Sequence, residues 1–481
     1  MRYMTILQCI DQFVRDVRSL DAPVVSTFLS GSMSRQEPDP QSDIDLVLLL
    51  DTNRTLSDQK SLARAVLHFT TKSQKFLDQA GLGGIKFSVP KMVRLDDWAP
   101  YMWIDAEWGL VARGGLTLDG EHLCPTLTMP RQRVLRYIAG ISLASRLIIC
   151  LRELAMQIKT PSGRCHLRFK YPGNVLRFAI LLAKGVHVRR LDSVLAVAGA
   201  LFGGAVAELA REMAEGTRHS VTLSHELAVS LGEQLISLAR RLLESEEEGV
   251  IPPPGVVGDC GKDLLQQNSA VRVPGAVASF RTGLLWEIDA FCVLSGNEVG
   301  DWSALAQSLG WMAVEEREAK VFLMPAFLFT YFARHFNPVG VYNMFSQMPH
   351  HVLARDLRLD VAPYSLRLRA LRTVSFFRYN ALNKWIDYQL LGASMWSRQL
   401  ARPRLEILRT SLKVLDELNL PTGGAIERVD ALLRRLSVGE GYEQIEDEWV
   451  ALADCLPPYA SVLTVEMRER LDGGHHHELP G

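Results

Sequence analysis

The seven cysteines of this 481-residue chain, Cys9, Cys124, Cys150, Cys165, Cys260, Cys292 and Cys455, form no Cys-x-x-Cys pair and are odd in number. Neither a zinc ribbon nor a disulfide framework is indicated, and a reducing, cytoplasmic setting is the expectation. A long apolar run is also missing. The longest uncharged apolar stretch, Ser193 to Ala207, includes Gly199, Gly203 and Gly204 and falls short of the roughly 20 residues that span a bilayer. It reads as a buried, closely packed helix, and no membrane partner is expected. The opening MRYMTILQCIDQFVRDVRSL carries charges every few residues and reads as an amphipathic helix rather than a signal-peptide core. No repeat with a period of about 20 to 50 residues is detectable. Charge of one sign is lacking as well: 53 Lys+Arg stand against 54 Asp+Glu, which argues against a wholesale nucleic-acid coat. Three histidines near the end, His475 to His477, follow a Gly pair and read as a chain end rather than a metal site.

What is present is an ordinary globular composition, 48% apolar and 22% charged, long enough for two or three domains at roughly 100 to 200 residues each. Residues 1–125 alternate short β-like runs with helical ones. A helix near Thr5 to Leu20 precedes apolar runs at Val24 to Leu29 and Asp43 to Leu50, a helix-period stretch from Ser57 to Ala80, and a β-like run from Gly84 to Val93. Leu110 to Gly120 reads as a hairpin or edge strand. From Pro130 the patterns become long and helical. Residues 126–245 read as a helical domain, residues 246–262 as a linker rich in Pro and Gly, and residues 263–481 as a mostly helical C-terminal domain.

The near-zero total hides an uneven distribution. Arg131 to Arg190 holds 13 Lys+Arg against one acid, Glu153, whereas residues 1–130 hold 13 basic and 16 acidic side chains. A second basic region, His351 to Lys413, has 12 Lys+Arg against four acids and reads chiefly as a solvated helix face.

The informative segment is FLSGSMSRQEPDPQSDIDLVLLLD, Phe28 to Asp51. It reads strand, Gly-Ser turn, polar loop, strand. Asp43 and Asp45 are one residue apart on the second strand, so both carboxylates project from one face while Ile44 and Leu46 enter the core. Two acids on one face repel unless a cation lies between them, and hard oxygen ligands on a rigid element suit Mg²⁺. Gly31 lets the backbone turn sharply and approach a phosphate, and Ser32 offers hydroxyl and amide hydrogen bonds to phosphate oxygens. Such an array supports nucleotidyl transfer, in which metal ions hold a triphosphate and stabilise the leaving pyrophosphate.

Gly31-Ser32, ten residues, then Asp43-Ile44-Asp45-Leu46 resembles the signature of the DNA polymerase beta-like nucleotidyltransferase superfamily, in particular its aminoglycoside adenylyltransferase-like, small-molecule branch. The resemblance covers roughly residues 20 to 190. It implies an α+β fold, a small mixed-sheet nucleotidyltransferase domain followed by helical bundle domains. It further implies that Gly31 and Ser32 bind the nucleoside triphosphate and that Asp43 and Asp45 are catalytic ligands of Mg²⁺. The family also uses a lysine of its helical domain on the triphosphate. Lys170, before a Pro-Gly helix start in the most basic stretch, is the candidate, with Arg164, Arg168 and Arg177 as further phosphate partners.

The chain departs from that pattern at one place. The family supplies a third carboxylate from a later strand, and here that strand, Ile85 to Val93, carries Lys86 and Ser88 but no acid. Asp97, with Asp96, lies just beyond its end and is the catalytic candidate; Asp105 and Glu107 are alternatives if the strand is shifted by one element. Without it, slow catalysis, substrate-assisted deprotonation or a retired site follows, since losing a base costs about 10² to 10⁴ in rate.

No second site emerges. Trp286-Glu287-Ile288-Asp289 repeats the acid spacing without an upstream Gly-Ser turn and reads as a helix segment or a chance match. His166, His187, His335, His350 and His351 show no ligand spacing, and the aromatic run Phe322 to Phe336 reads as core. The expected function is Mg²⁺-dependent transfer of a nucleoside monophosphate, AMP from ATP, to a hydroxyl of a small molecule. The alternatives are transfer to a macromolecule, tRNA or protein, and a catalytically retired nucleotide-binding scaffold.

Overall fold

The computed structural model describes residues 2–20, 23–35, 42–53, 55–98, 101, 106–127, 132–158, 164–215, 220–247, 276–281, 290–294, 313–314, 317–318, 321–331, 363–391, 398–438, 446–459, 462–463 and 465. The chain forms two compact units, one built from residues 1–130 together with 370–481, the other from residues 131–369.

The first unit opens with helix α1 (Arg2–Arg18). Its buried residues Ile6, Cys9, Ile10, Phe13 and Val17 recur at the three-and-four spacing of one helix face. That face meets α3 (Lys60–Gln79), which buries Leu62, Ala63, Val66 and Leu77. Strands β1 (Val24–Ser30) and β2 (Asp43–Leu50) pair antiparallel, and α2 (Gly31–Ser34) forms one helical turn after β1. From Leu46 onward every residue of β2 is buried, as suits an apolar run at the centre of a sheet.

The expected strand from Gly84 to Val93 is two short ones, β3 (Lys86–Phe87) and β4 (Lys91–Arg94), both parallel to β2. Pro90 between them has no N–H to give to a ladder, so the pairing restarts after it. Leu110 to Gly120 divides into α5 (Ala106–Ala112) and β5 (Leu116–Gly120); β5 pairs antiparallel with β1 at the sheet edge, and α4 (Leu95–Trp98) follows β4.

The C-terminal segment, without a readable role in the sequence, is built into this same unit. From Ala370 onward, helix α12 (Pro363–Leu391) belongs to it. Its Asn383 accepts from Met92 N at 2.8 Å and donates to Met92 O at 3.0 Å, giving the outer edge of β4 the bonds a further strand would supply. Helices α13 (Arg398–Glu417), α14 (Ala425–Ser437) and α15 (Glu446–Cys455) follow. Asp454 of α15 accepts from Leu56 N at 2.7 Å, Ser57 N at 3.0 Å and Ser57 Oγ at 2.8 Å, just ahead of α3.

The second unit contains α6 (Gln132–Ile158), α7 (Lys170–Lys184), α8 (Leu191–Phe202), α9 (Gly204–Glu215) and α10 (His225–Glu247). The Ser193 to Ala207 stretch is not one buried helix. It breaks at Gly203, where φ is +63°, and Gln234 closes the corner by donating to Phe202 O and Gly203 O and accepting from Val206 N. Each of the two helices buries one face only.

Strands also interrupt the mostly helical patterns expected after Pro130. β6 (Arg164–Arg168) and β7 (Ser220–Ser224) form an antiparallel pair, and β8 (Ala276–Arg281), β9 (Ala290–Leu294) and β12 (Val321–Pro325) form a three-stranded sheet. A two-stranded pair, β10 (Ala313–Val314) and β11 (Arg317–Glu318), adds to it, and α11 (Ala326–Tyr331) follows β12. Val321 to Tyr331 thus holds strand and a short helix, because a short apolar run such as VFLMP fits either period. Residues 286–289, 335, 350, 351 and 473–477, and nearly all of the linker, lie outside the described residues. Among the described residues no helix is long and apolar enough to cross a membrane.

Candidate active site

Ser30 ends β1 directly opposite Asp45 on β2. The chain leaves the sheet at Gly31, whose φ of +70° suits glycine. A second constraint acts there: a Cβ on Gly31 would stand 2.5 Å from Asp45 Oδ2. The Asp45 carboxylate therefore lies against bare backbone at the start of α2. Hydrogen bonds hold the turn in place. Ser30 Oγ donates to Asp45 O at 3.2 Å, Ser34 Oγ donates to Gly31 O at 2.9 Å, and Ser32 Oγ donates to Ser42 Oγ at 3.2 Å across the mouth of the loop. Gly31, Ser32, Asp43 and Asp45 are thus brought together.

Along β2, Asp43 is exposed, Asp45 is half-buried and Ile44 between them is fully buried, as the alternation of a strand requires. Burial, and then the neighbouring Asp43 charge, push the Asp45 carboxyl up to about 6, against the pull of Lys91, a hydrogen bond from Ser88, and Lys86. A divalent cation bound beside Asp45 and Asp43 would relieve that crowding of charge. Mg²⁺ accepts a few carboxylates and fills its remaining positions with phosphate and water, so the donor set fits it.

The flank of β2 away from Gly31 is basic. Lys86 is in register with Asp43, and Lys91 with Val47; in a parallel pair, residues in register lie on the same face. Lys86, Ser88 and Lys91 therefore share the face of Asp43 and Asp45. Lys91 Nζ donates to Tyr379 Oη at 3.4 Å and lies 3.6 Å from the centre of the Trp108 ring. Lys91 was available to sequence reasoning once Pro90 was taken as a strand break. Tyr379, nearly three hundred residues away, had no local signal.

Asp97 does not join Asp43 and Asp45. Strand β4 runs toward the opposite end of β2, its Arg94 pairing with Leu50, which is about 16 Å along the strand from Asp45. Asp97 follows in α4, 1% exposed, with its Oδ1 2.7 Å from Arg378 Nη1. Arg378 Nη2 lies 2.7 Å from Asp96 Oδ2, and Arg94 Nε is 3.1 Å from Asp96 Oδ1. Burial raises the Asp97 carboxyl to about 6; burial also opposes the charge on Asp96, but the guanidinium groups of Arg378 and Arg94 hold that carboxyl below its usual range. This is a buried ion-pair lock between α12 and α4. It also removes Arg378, 5% exposed, from the solvated face expected of the second basic region.

Asp105 and the Glu107 side chain lie outside the described residues, and among the described residues no group of three or more His, Cys, Asp or Glu is placed to hold a metal ion. Lys170 is in the second unit, exposed at the start of α7, its ammonium 5.8 Å from the Tyr171 ring. Arg177 is not a ready phosphate partner, because its guanidinium donates to Val188 O, Arg189 O and Asn174 Oδ1.

The family model described as a nucleotidyltransferase domain matches residues 10–79, from α1 through β1, α2 and β2 to the end of α3. That match supports nucleotidyl transfer as the class of chemistry and does not extend to the aminoglycoside adenylyltransferase-like branch. No curated protein and no solved structure matches the chain.

Proposed function

We propose that the first unit is a Mg²⁺-dependent nucleotidyltransferase that moves a nucleoside monophosphate, AMP from ATP, onto an acceptor oxygen of a small molecule, in the sequence reading a hydroxyl. The observation that carries this reading is the packing of the Asp45 carboxylate against Gly31, which sets a metal-binding acid beside a backbone turn open to phosphates. Asp43 and Asp45 would hold the ion, which when bound neutralises the triphosphate and polarises its phosphorus centre. The bare backbone at Gly31 lets phosphate oxygens approach, and Ser32, whose hydroxyl is held at the loop mouth by Ser42, donates to them. Lys170 is assigned to the triphosphate on the sequence resemblance alone.

Pyrophosphate release from ATP and Mg²⁺, with cell extract as the source of acceptors, tests the reading. Asp43→Ala is expected to abolish release while the melting temperature holds; undiminished release in that variant rejects it. A second reading, nucleotide binding without transfer, is favoured by the lysines beside the acid pair. ATP binding with no release from any acceptor decides for it.

A further inference from the structure

The sheet order sets β1 with its Gly-Ser turn on one flank of β2, and β3 and β4 on the other. With triphosphate on the Gly31 flank, an in-line displacement at the α-phosphorus needs its nucleophile on the opposite flank. That flank presents Lys86, Ser88 and Lys91 on the face of the two acids. Lys91 is held in place by Tyr379 and Trp108. Among the described residues no further carboxylate or histidine joins Asp43 and Asp45 as a metal-binding group of three, and Asp97 is locked to Arg378 at the far end of the strand. A neutral hydroxyl would arrive there with a proton and meet ammonium groups, which take none.

Resting on the proposed nucleotidyl transfer, we propose that the acceptor oxygen belongs to a phosphate monoester, bound by Lys86 and Lys91, rather than to a neutral hydroxyl. Two ammonium groups match the two charges of a phosphomonoester. Such an oxygen is already anionic at neutral pH, so the step needs no base. An acceptor phosphate oxygen forms a bond to the α-phosphorus, the bond from the α-phosphorus to the bridging oxygen of the β-phosphate breaks, and pyrophosphate leaves with that electron pair. The product is a phosphoanhydride, and no proton is transferred.

Inorganic phosphate is the simplest probe of this chemistry. With ATP and Mg²⁺, the full-length protein should convert radiolabelled phosphate into ADP labelled at its β-position, with pyrophosphate released; glycerol and acetate, offered in parallel arms, should give no release. Lys86→Met and Lys91→Met are each expected to raise the KM for phosphate at least tenfold. Lys72→Met, which removes a surface lysine paired with Asp16, should leave it unchanged. Equilibrium binding of labelled phosphate in EDTA without nucleotide should show the same order, a readout independent of turnover. Release with glycerol but no labelled ADP overturns the phosphate acceptor and leaves nucleotidyl transfer standing. No release in any arm removes both. Labelled ADP that forms equally well in the Lys86→Met, Lys91→Met double variant removes the assignment of these lysines.

Discussion

Gly31 and Asp45 lie so close that a single methyl on Gly31 would stand 2.5 Å from Asp45 Oδ2. Gly31→Ala meets that carboxylate and must also hold an alanine at a φ of +70°. Strain of this kind costs on the order of 1 to 3 kcal/mol. The variant should melt several degrees lower and bind ATP at least tenfold more weakly, as a thermal scan and a titration would register. Wild-type affinity in Gly31→Ala would mean that the turn does not receive phosphates.

Arg378 faces Asp97 in a setting almost closed to water, so removing the cation leaves a buried carboxylate without its counter-ion. Arg378→Met should cost about 3 to 5 kcal/mol in chemical denaturation. The double variant with Asp97→Asn should recover part of that loss, because the uncompensated charge goes with it. A loss below about 1 kcal/mol, the range of an exposed pair, contradicts the lock.

Asp454 accepts three hydrogen bonds from the segment ahead of α3. Asp454→Ala leaves two backbone N–H groups without that partner and should destabilise the first unit by roughly 1 to 3 kcal/mol. A chain ending at residue 369 also loses the Asn383 bonds to β4, and its N-terminal sheet should lose amide-exchange protection first at Met92. Undiminished protection there would show that residues 1–130 fold without the C-terminal helices.

In the metal-free protein the Asp45 carboxyl is raised to about 6 from 3.8. The folded state therefore holds that proton more tightly than the unfolded state. The stabilisation is present in full below pH 3.8 and is lost as the pH climbs to about 6. At about 1.4 kcal/mol per pH unit the total is on the order of 3 kcal/mol. In EDTA, Asp45→Asn should gain on the wild type across that interval, as paired melts would show; a constant difference between the two proteins contradicts the shift.

The Gly31 turn and the acid pair were legible because their signals are local. Period-two alternation sets Asp43 and Asp45 on one face, Gly31 marks the turn, and the apolar run of β2 marks a central strand. The first-unit elements α1, β1, β2 and α3 follow from the same short-range patterns. What the sequence withheld depends on partners far along the chain. The edge-capping amide of Asn383, the Arg378 lock and the Tyr379 hydroxyl beside Lys91 all come from a helix beginning at residue 363, and no spacing rule ties them to β4. Asp97 misled for a related reason. A short strand broken by Pro90 displaces β4 toward the far end of β2, and proximity in sequence to the strand end became distance from the site. The strands of the second unit were hidden because short apolar runs suit either helix or sheet.

Asp43 and Asp45 are proposed to hold the ion that binds the triphosphate. Calorimetric titration of ATP with and without Mg²⁺, in the wild type and in Asp45→Asn at pH 7.5, tests this most directly. The predicted result is at least tenfold tighter binding with Mg²⁺ in the wild type and no effect of Mg²⁺ in the variant. The same Mg²⁺ enhancement in both proteins would place the metal elsewhere and contradict the account.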